Sequence, residues 1–273
     1  MTYSIFQETM ADMTWTEVEE SIRNGAIVLL PSGVIEQQGP HICTGADIYI
    51  SHLICKYMKR ELEENGIHIL IAPPFYWGIN HVTGAFPGSF TARKDIVKAL
   101  LFDILDCLQK WGVQQVFLID VHGDYQHGSA LFESIKEARA ELHIDVKLVI
   151  SHWIANQLLI SKTDPHYLIF EVPIQLPEEK PKYFDIHAGE ESTARMLKHF
   201  SSLVDINIAK TLEPTNFAEK EFKEWQKGGE KVRQLTPSGY FGNPANFASV
   251  DPELDFVQIF SKYAAEKITA YMK

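Results

Sequence analysis

Ala26-Ile27-Val28-Leu29-Leu30-Pro31-Ser32-Gly33-Val34-Ile35-Glu36-Gln37-Gln38-Gly39-Pro40-His41, followed by Asp47, is the stretch on which the reading of this chain turns. The run 26–31 is apolar and reads as a buried strand. The loop after it carries Glu36, Gln38 and His41 among Gly and Pro residues. Open α/β sheets place their ligand sites in loops at the carboxyl ends of strands.

The same alternation continues along the chain. Runs 67–72, 113–119 and 146–150 read as further strands, each ending in polar or Pro-bearing loops. Segments 14–24, 47–65, 95–111, 128–142 and 264–272 have helical spacing, and another helix opens at His187-Ala188-Gly189-Glu190-Glu191 and runs to about His199. Trp15, Val18 and Ile22 share one side of the first helix. Ile96, Leu100, Leu101, Ile104 and Leu108 form a wide stripe on the third. Strands alternating with helices predict an α/β fold whose parallel sheet is covered on both faces. Loop 75–91 is long and aperiodic, a pattern more often functional than idle. The run 172–182 holds three prolines and reads as a loop or flap, and 238–244 is turn-rich.

Composition narrows the function classes. A chain of 273 residues suffices for one large core or two small ones. A net charge of −11 with no Lys/Arg run argues against nucleic acid. Three cysteines without a CxxC pair make no disulfide framework. Met1-Thr2-Tyr3-Ser4 lacks a signal-peptide start, and no apolar stretch approaches roughly 20 residues, so neither export nor a membrane span is expected. A cytoplasmic setting is the expectation.

Glu36, Asp47, His122, Asp124, His187 and Glu190 are the residues that could carry chemistry. Oxygen and imidazole donors without thiolates suit Zn²⁺, Mn²⁺ or Fe²⁺. Asp47 opens a helix and reads equally well as its N-cap, and Glu36 as a turn residue. His122-Gly123-Asp124 resists a bland reading, because burying that much polarity at a sheet edge costs several kcal/mol unless it is paired or metal-bound. Asp120 reads as an acceptor behind a ligand or as a loop anchor. Glu190 and Glu191 complement a helix N-terminus. His52, His81, His127 and His152 lack acidic neighbours in sequence and read as surface or packing residues. No phosphate loop, GxSxG elbow or HExxH is present. Cys43 is a conceivable nucleophile, although nearby acids would raise its thiol pKa.

Together these elements resemble the creatininase (creatinine amidohydrolase) family. The segment Pro31 to His41 with Asp47 follows that family's Pro-x-Gly-x-x-Glu-Gln-His-Gly-Pro-His pattern, with Gln38 in the histidine's place. Phe86-Pro87-Gly88-Ser89, Asp120-Val121-His122-Gly123-Asp124-Tyr125, His187-Ala188-Gly189-Glu190-Glu191-Ser192-Thr193-Ala194 and Ser238-Gly239-Tyr240-Phe241-Gly242-Asn243-Pro244 follow further family motifs in the expected order. The resemblance implies a single α/β/α domain over 1–273, a three-layer sandwich with a mostly parallel sheet, often assembled into hexamers.

It also implies a two-metal hydrolase site. One metal would use Glu36, Asp47 and His122; the other would share Asp47 and add Gln38 and Asp124. A glutamine is a poorer Zn²⁺ ligand than an imidazole, so the second metal is expected to bind weakly, to be a harder ion such as Mn²⁺, or to be absent. Ser192 stands where the family usually has glutamate. Asn80, Trp153 and Tyr125 fall at the substrate pocket, and His187 or Glu190 would move the proton. The expected activity is metal-dependent cleavage of a non-peptide C–N bond in a small amide or cyclic amide other than creatinine. The alternatives are a weak or inactive member that binds a small ligand or serves as an assembly subunit, and a Cys43-dependent amidohydrolase.

Overall fold

Apolar runs pair side by side as β1 (Ile27–Ser32), β2 (Ile69–Ile71), β3 (Gln115–Asp120), β4 (Asp145–Ser151) and β5 (Tyr167–Phe170). The structure is a computed structural model that describes residues 3–173 and 183–273. Most of the expected 172–182 flap therefore lies outside the described residues. The order is β2-β1-β3-β4-β5, and every pairing is parallel. β5 is absent from the sequence expectation because a four-residue run is too short for periodicity to separate strand from helix.

Helices α1 (Trp15–Arg23), α2 (Ala46–Glu64), α3 (Lys94–Lys110), α4 (Tyr125–Glu141), α5 (His152–Gln157) and α6 (Glu190–Phe200) follow in chain order. Short helices α7 (Ile206–Ala209), α8 (Glu219–Trp225) and α9 (Glu230–Leu235) lead to α10 (Phe256–Met272). Side chains alternate across the sheet as strand geometry requires. Ile27, Leu29, Phe117 and Ile119 pack with α2, α6 and α10 on one face. Val28, Leu30, Val116 and Leu118 pack with α3 and α4 on the other. The result is the three-layer α/β/α arrangement, with no antiparallel strand in its sheet among the described residues.

Two amphipathic expectations shift. Trp15 is exposed, and its place at the start of α1 follows a capping box between Thr14 and Glu17. On α3, Val97, Leu101, Leu105 and Leu108 form the buried face, while Ile96 and Leu100 are exposed.

His52 is fully buried on α2 and ties the N-terminal segment to the core. Its Nε2 donates to the Gln7 carbonyl at 2.9 Å, and its Nδ1 accepts from the Tyr3 hydroxyl at 2.7 Å. Burial, the largest cause, pushes its pKa down to about 4. A folded-state pKa below the unfolded value contributes stability above the unfolded pKa, and that stability is lost as pH falls through the folded one. The urea midpoint should therefore fall between pH 6.5 and pH 4 in the wild type and fall less in His52→Leu. Parallel pH profiles would show that His52 does not control this loss.

Candidate metal centre

Strand order reverses between β1 and β3, and the crevice beyond their carboxyl ends is where such sheets bind ligands. The β1–β3 register pairs Ser32 with Asp120, so the loops carrying Glu36 and His122 leave the sheet side by side. Gly33 sits between them and α2. A Cβ there would lie 2.8 Å from the Asp47 Cβ, so the missing side chain lets α2 bring Asp47 against the end of β1. Gly45, not Asp47, occupies the N-cap position of α2, which leaves the Asp47 carboxylate facing inward.

Glu36, Asp47 and His122 each offer one ligand atom within 4.8 Å of the others. His122 Nδ1 lies 3.3 Å from Glu36 Oε1 and 3.2 Å from Asp47 Oδ2. His122 Nε2 donates to the Ile79 carbonyl at 3.1 Å, which orients the ring with Nδ1 toward the carboxylates. Thr83 donates to Glu36 Oε2 at 2.6 Å and leaves Oε1 to the cluster. Asp47 Oδ2 is buried without a hydrogen-bond partner.

The electrostatics call for a cation. Burial would raise the Glu36 carboxyl, but His122, His187 and the hydrogen bonds from His122 and Thr83 hold it at about 2. Burial and the Glu36 charge raise Asp47, outweighing the His122 contribution. Burial opposes a charge on His122, yet the two carboxylates push its pKa well above the ordinary value. The two carboxylates thus favour positive charge on or beside the His122 ring. A three-ligand O,O,N set with a ring nitrogen anchored to a backbone carbonyl, and an orphaned carboxylate oxygen, fits a divalent metal with an open position.

The cluster forms one wall of a cavity of about 140 Å³, also lined by Gln38, His187, Ser192 and Arg195. His187 arrives from an isolated bridge to Phe241 and is followed by Ala188 in the left-handed region at φ 50. Its Nε2 donates to the Gln37 carbonyl at 2.8 Å, and its Nδ1 lies 3.8 Å from Glu36 Oε1. The loop 75–91 closes over the Glu36 loop: Ser89 Oγ accepts from Gln37 N at 2.9 Å, and Phe90 N donates to Ile35 O at 3.0 Å.

A creatininase profile, described as creatinine amidohydrolase, matches residues 11–253. The chain belongs to the creatininase family. A creatinine amidohydrolase from Pseudomonas putida is 25% identical over 235 residues, 80% of each chain. A solved structure titled "Creatininase Mn" aligns at TM-score 0.66 and 18% identity over 97% of both chains. A mutant creatininase of Zn-Zn type aligns at 0.63 and 18%, over 99% of this chain and 98% of the other. The family is one of metal-dependent amidohydrolases, and at that level the class of this chain follows.

Against the creatininase pattern, the second donor set does not assemble. Asp124 is the N-cap of α4: Oδ1 accepts from Gln126 N and His127 N at 2.8 and 3.3 Å, and Oδ2 from His81 N and Val82 N at 2.8 and 3.1 Å. Four backbone donors engage both oxygens, so the expected ligand role gives way to helix capping and loop anchoring. Gln38 turns its amide nitrogen, not its oxygen, inward, 3.2 Å from both Glu36 Oε1 and Asp47 Oδ1. Gln38 thus lies at the cluster, and it is Asp124, with both oxygens taken by backbone donors, that is withheld from a second metal.

Other expected residues also lie elsewhere. Glu190 Oε2 accepts from the Tyr183 hydroxyl at 2.5 Å and from Asn246 Nδ2 at 3.1 Å, and Glu190 is not among the residues lining the cavity. Asn80 spends its amide on the Ile35 and Phe90 carbonyls, bracing the loop. Tyr125 is exposed at the start of α4, and Trp153, on α5, is partly buried against the core. Burial, aided by Asp47, raises the Cys43 thiol against two backbone hydrogen bonds, which argues against a nucleophile. Two histidines do have acidic company: His127 Nε2 is 3.3 Å from Asp120, which also accepts from Ser32 at 2.8 Å, and His152 is 3.4 Å from Glu171. Both pairs cross between elements, so local sequence does not display them.

Sequence reasoning passed over Thr83 and Arg195. The only local signal for Arg195 is its i,i+3 spacing from Ser192, which puts both on one face of α6. Asp124→Ala should cost about 2 kcal/mol by leaving backbone donors unpaired, yet leave bound metal unchanged. Chemical denaturation and elemental analysis on the same preparation check this, and loss of metal would restore Asp124 to the ligand set.

Proposed function

We propose that this chain hydrolyses a non-peptide C–N bond of a small amide or cyclic amide, using one divalent metal held by Glu36, Asp47 and His122. The observation that carries the reading is the convergence of Glu36 Oε1, Asp47 Oδ2 and His122 Nδ1, with Asp47 Oδ2 otherwise unpartnered. Zn²⁺ and Mn²⁺ are the favoured ions, from the donor set and from the relatives named for them. Such an ion, when bound, lowers the pKa of water and polarises a carbonyl.

The chain's own residues do the rest. Thr83 holds Glu36, and the Ile79 carbonyl holds the His122 ring, so the site is set before substrate arrives. His187, with its Nε2 proton donated to Gln37, keeps Nδ1 to take a proton from the attacking water. The water oxygen joins the carbonyl carbon, the C–N bond breaks, and His187 returns the proton to the departing nitrogen. Glu190, held by Tyr183 and Asn246, supports the helix start after His187 instead of carrying that proton.

Creatinine, the substrate named for the Pseudomonas putida relative, is not the substrate we favour, because Gln38, Asp124 and Ser192 depart from the family's motifs at the second metal and pocket. The Gln38 amide, bridging both carboxylates, also motivates a second reading: a member that binds a small ligand without turnover.

Purified protein grown with Zn²⁺ and Mn²⁺ should carry about one metal per chain, and His122→Ala should carry almost none and lose activity. Elemental analysis decides, and metal-free wild-type protein would sink the enzyme reading. Gln38→His should leave the ratio near one, because Asp124 stays committed to its backbone donors. A rise to two would mean that only the imidazole was missing.

A further inference from the structure

Arg195 is the unexplained charge of the cavity. It lines the same wall region as Ser192, opposite neither a carboxylate partner nor a carbonyl: among the described residues it forms no ion pair, and its Nε is buried without an acceptor. Arg195 is half-buried as a residue, and a buried guanidinium nitrogen such as its Nε is costly to leave without an acceptor.

Glu191, one turn earlier on α6, is the acid whose charge acts on it most, although no carboxylate lies within ion-pair distance of the guanidinium; the other acids that reach it are engaged elsewhere. Asp185 accepts the backbone amides of Glu190 and Glu191, and Asp255 pairs with Lys198 and His199. Asp47 belongs to the metal cluster, whose charge a bound ion would take up. The guanidinium carbon lies 4.3 Å from the Phe256 ring centroid, a cation–π contact that holds the group at the cavity wall. One turn earlier on the same face, Ser192 is a neutral residue at a position where the family motif usually has glutamate. An acid there would pair with Arg195 or repel an anion; serine does neither.

We propose that Arg195 is the substrate-recognition residue of this cavity and that it binds a carboxylate, so the substrate is a small amide bearing a carboxylate group. This rests on the amidohydrolase reading above and narrows its substrate class. A planar guanidinium matches a carboxylate with two parallel hydrogen bonds, which a neutral amide cannot reproduce. A cavity of about 140 Å³ is close to the size that admits benzene, so the molecule has only a few atoms beyond the amide and the carboxylate.

The test uses Zn²⁺-reconstituted protein and an isosteric pair, malonamate and malonamide, which differ by one negative charge. Isothermal titration should show malonamate binding at least about tenfold tighter than malonamide. Arg195→Met should weaken malonamate about 30-fold or more and bring the ratio near one, with malonamide little changed. Arg195→Lys, which keeps the charge but loses the fork, should weaken malonamate less than Arg195→Met does, and it keeps the test open if the Met variant fails to fold. No preference in the wild type, or a preference that survives Arg195→Met, overturns the proposal; the second result would assign the carboxylate to the metal. Metal content measured on the same samples separates the two readings. One bound metal without charge preference sinks the Arg195 proposal alone, and charge preference without bound metal sinks the hydrolase reading alone.

Discussion

The parallel pairing of β1 with β3 is the constraint on which the site depends. Strand order reverses there, so the β1 and β3 exits open into a common crevice instead of being covered by a crossover helix. The Ser32–Asp120 register, reinforced by the 2.8 Å bond from Ser32 Oγ to the Asp120 carboxylate, sets how far the two loops stand apart. A slip of one residue would turn every side chain of the pair to the other face. Gly33 then supplies the second condition by letting α2 close on the strand end and deliver Asp47. Glu36, Asp47 and His122 come from three elements, yet these two local conditions suffice to bring them together.

Bringing two carboxylates together in a buried place raises a charge problem, and much of the surrounding structure can be understood as its management. Thr83 and Gln38 donate to the carboxylates, and His122 lies against both. None of these removes the need for a cation, because neutral donors stabilise a carboxylate without cancelling its charge. Gln38 has a particular effect. Its amide nitrogen satisfies one oxygen of each acid, which lessens the pull of the site on a second cation. Arg195 lines the same cavity without an ion pair among the described residues, so the cavity wall carries both an acidic cluster and a guanidinium.

Much of the fold was legible in the sequence. The strands β1 to β4 are apolar runs bounded by Gly, Pro or acids, and the main helices carry apolar periodicity, because sheets and helices covered by other layers must bury regular faces. What escaped was short or side-specific. β5 has too few residues for a period, and Ile96 and Leu100 match helical spacing but sit on the wrong side of α3. Among site residues, His122 stood out because polarity at a sheet edge is expensive to explain otherwise, whereas Glu36 and Asp47 read equally well as a turn residue and an N-cap and joined it through the resemblance to the family's motif. Asp124 was drawn into the same set by its proximity to His122, although a residue directly before a helix serves its backbone donors first.

By itself the sequence determined the α/β class, the family and the short set of polar residues near strand ends. The class and the residue set follow from local order along the chain, and the family from the resemblance of its motifs. Only the tertiary structure decided which of those residues share a space: it joined His127 to Asp120, tied Glu190 to Tyr183 and Asn246, committed Asp124 to a cap, and put Arg195 in the cavity wall with no ion pair among the described residues. The physical reason is that a side chain's role depends on which donors and acceptors surround it, and those neighbours come from strands and loops far apart in sequence.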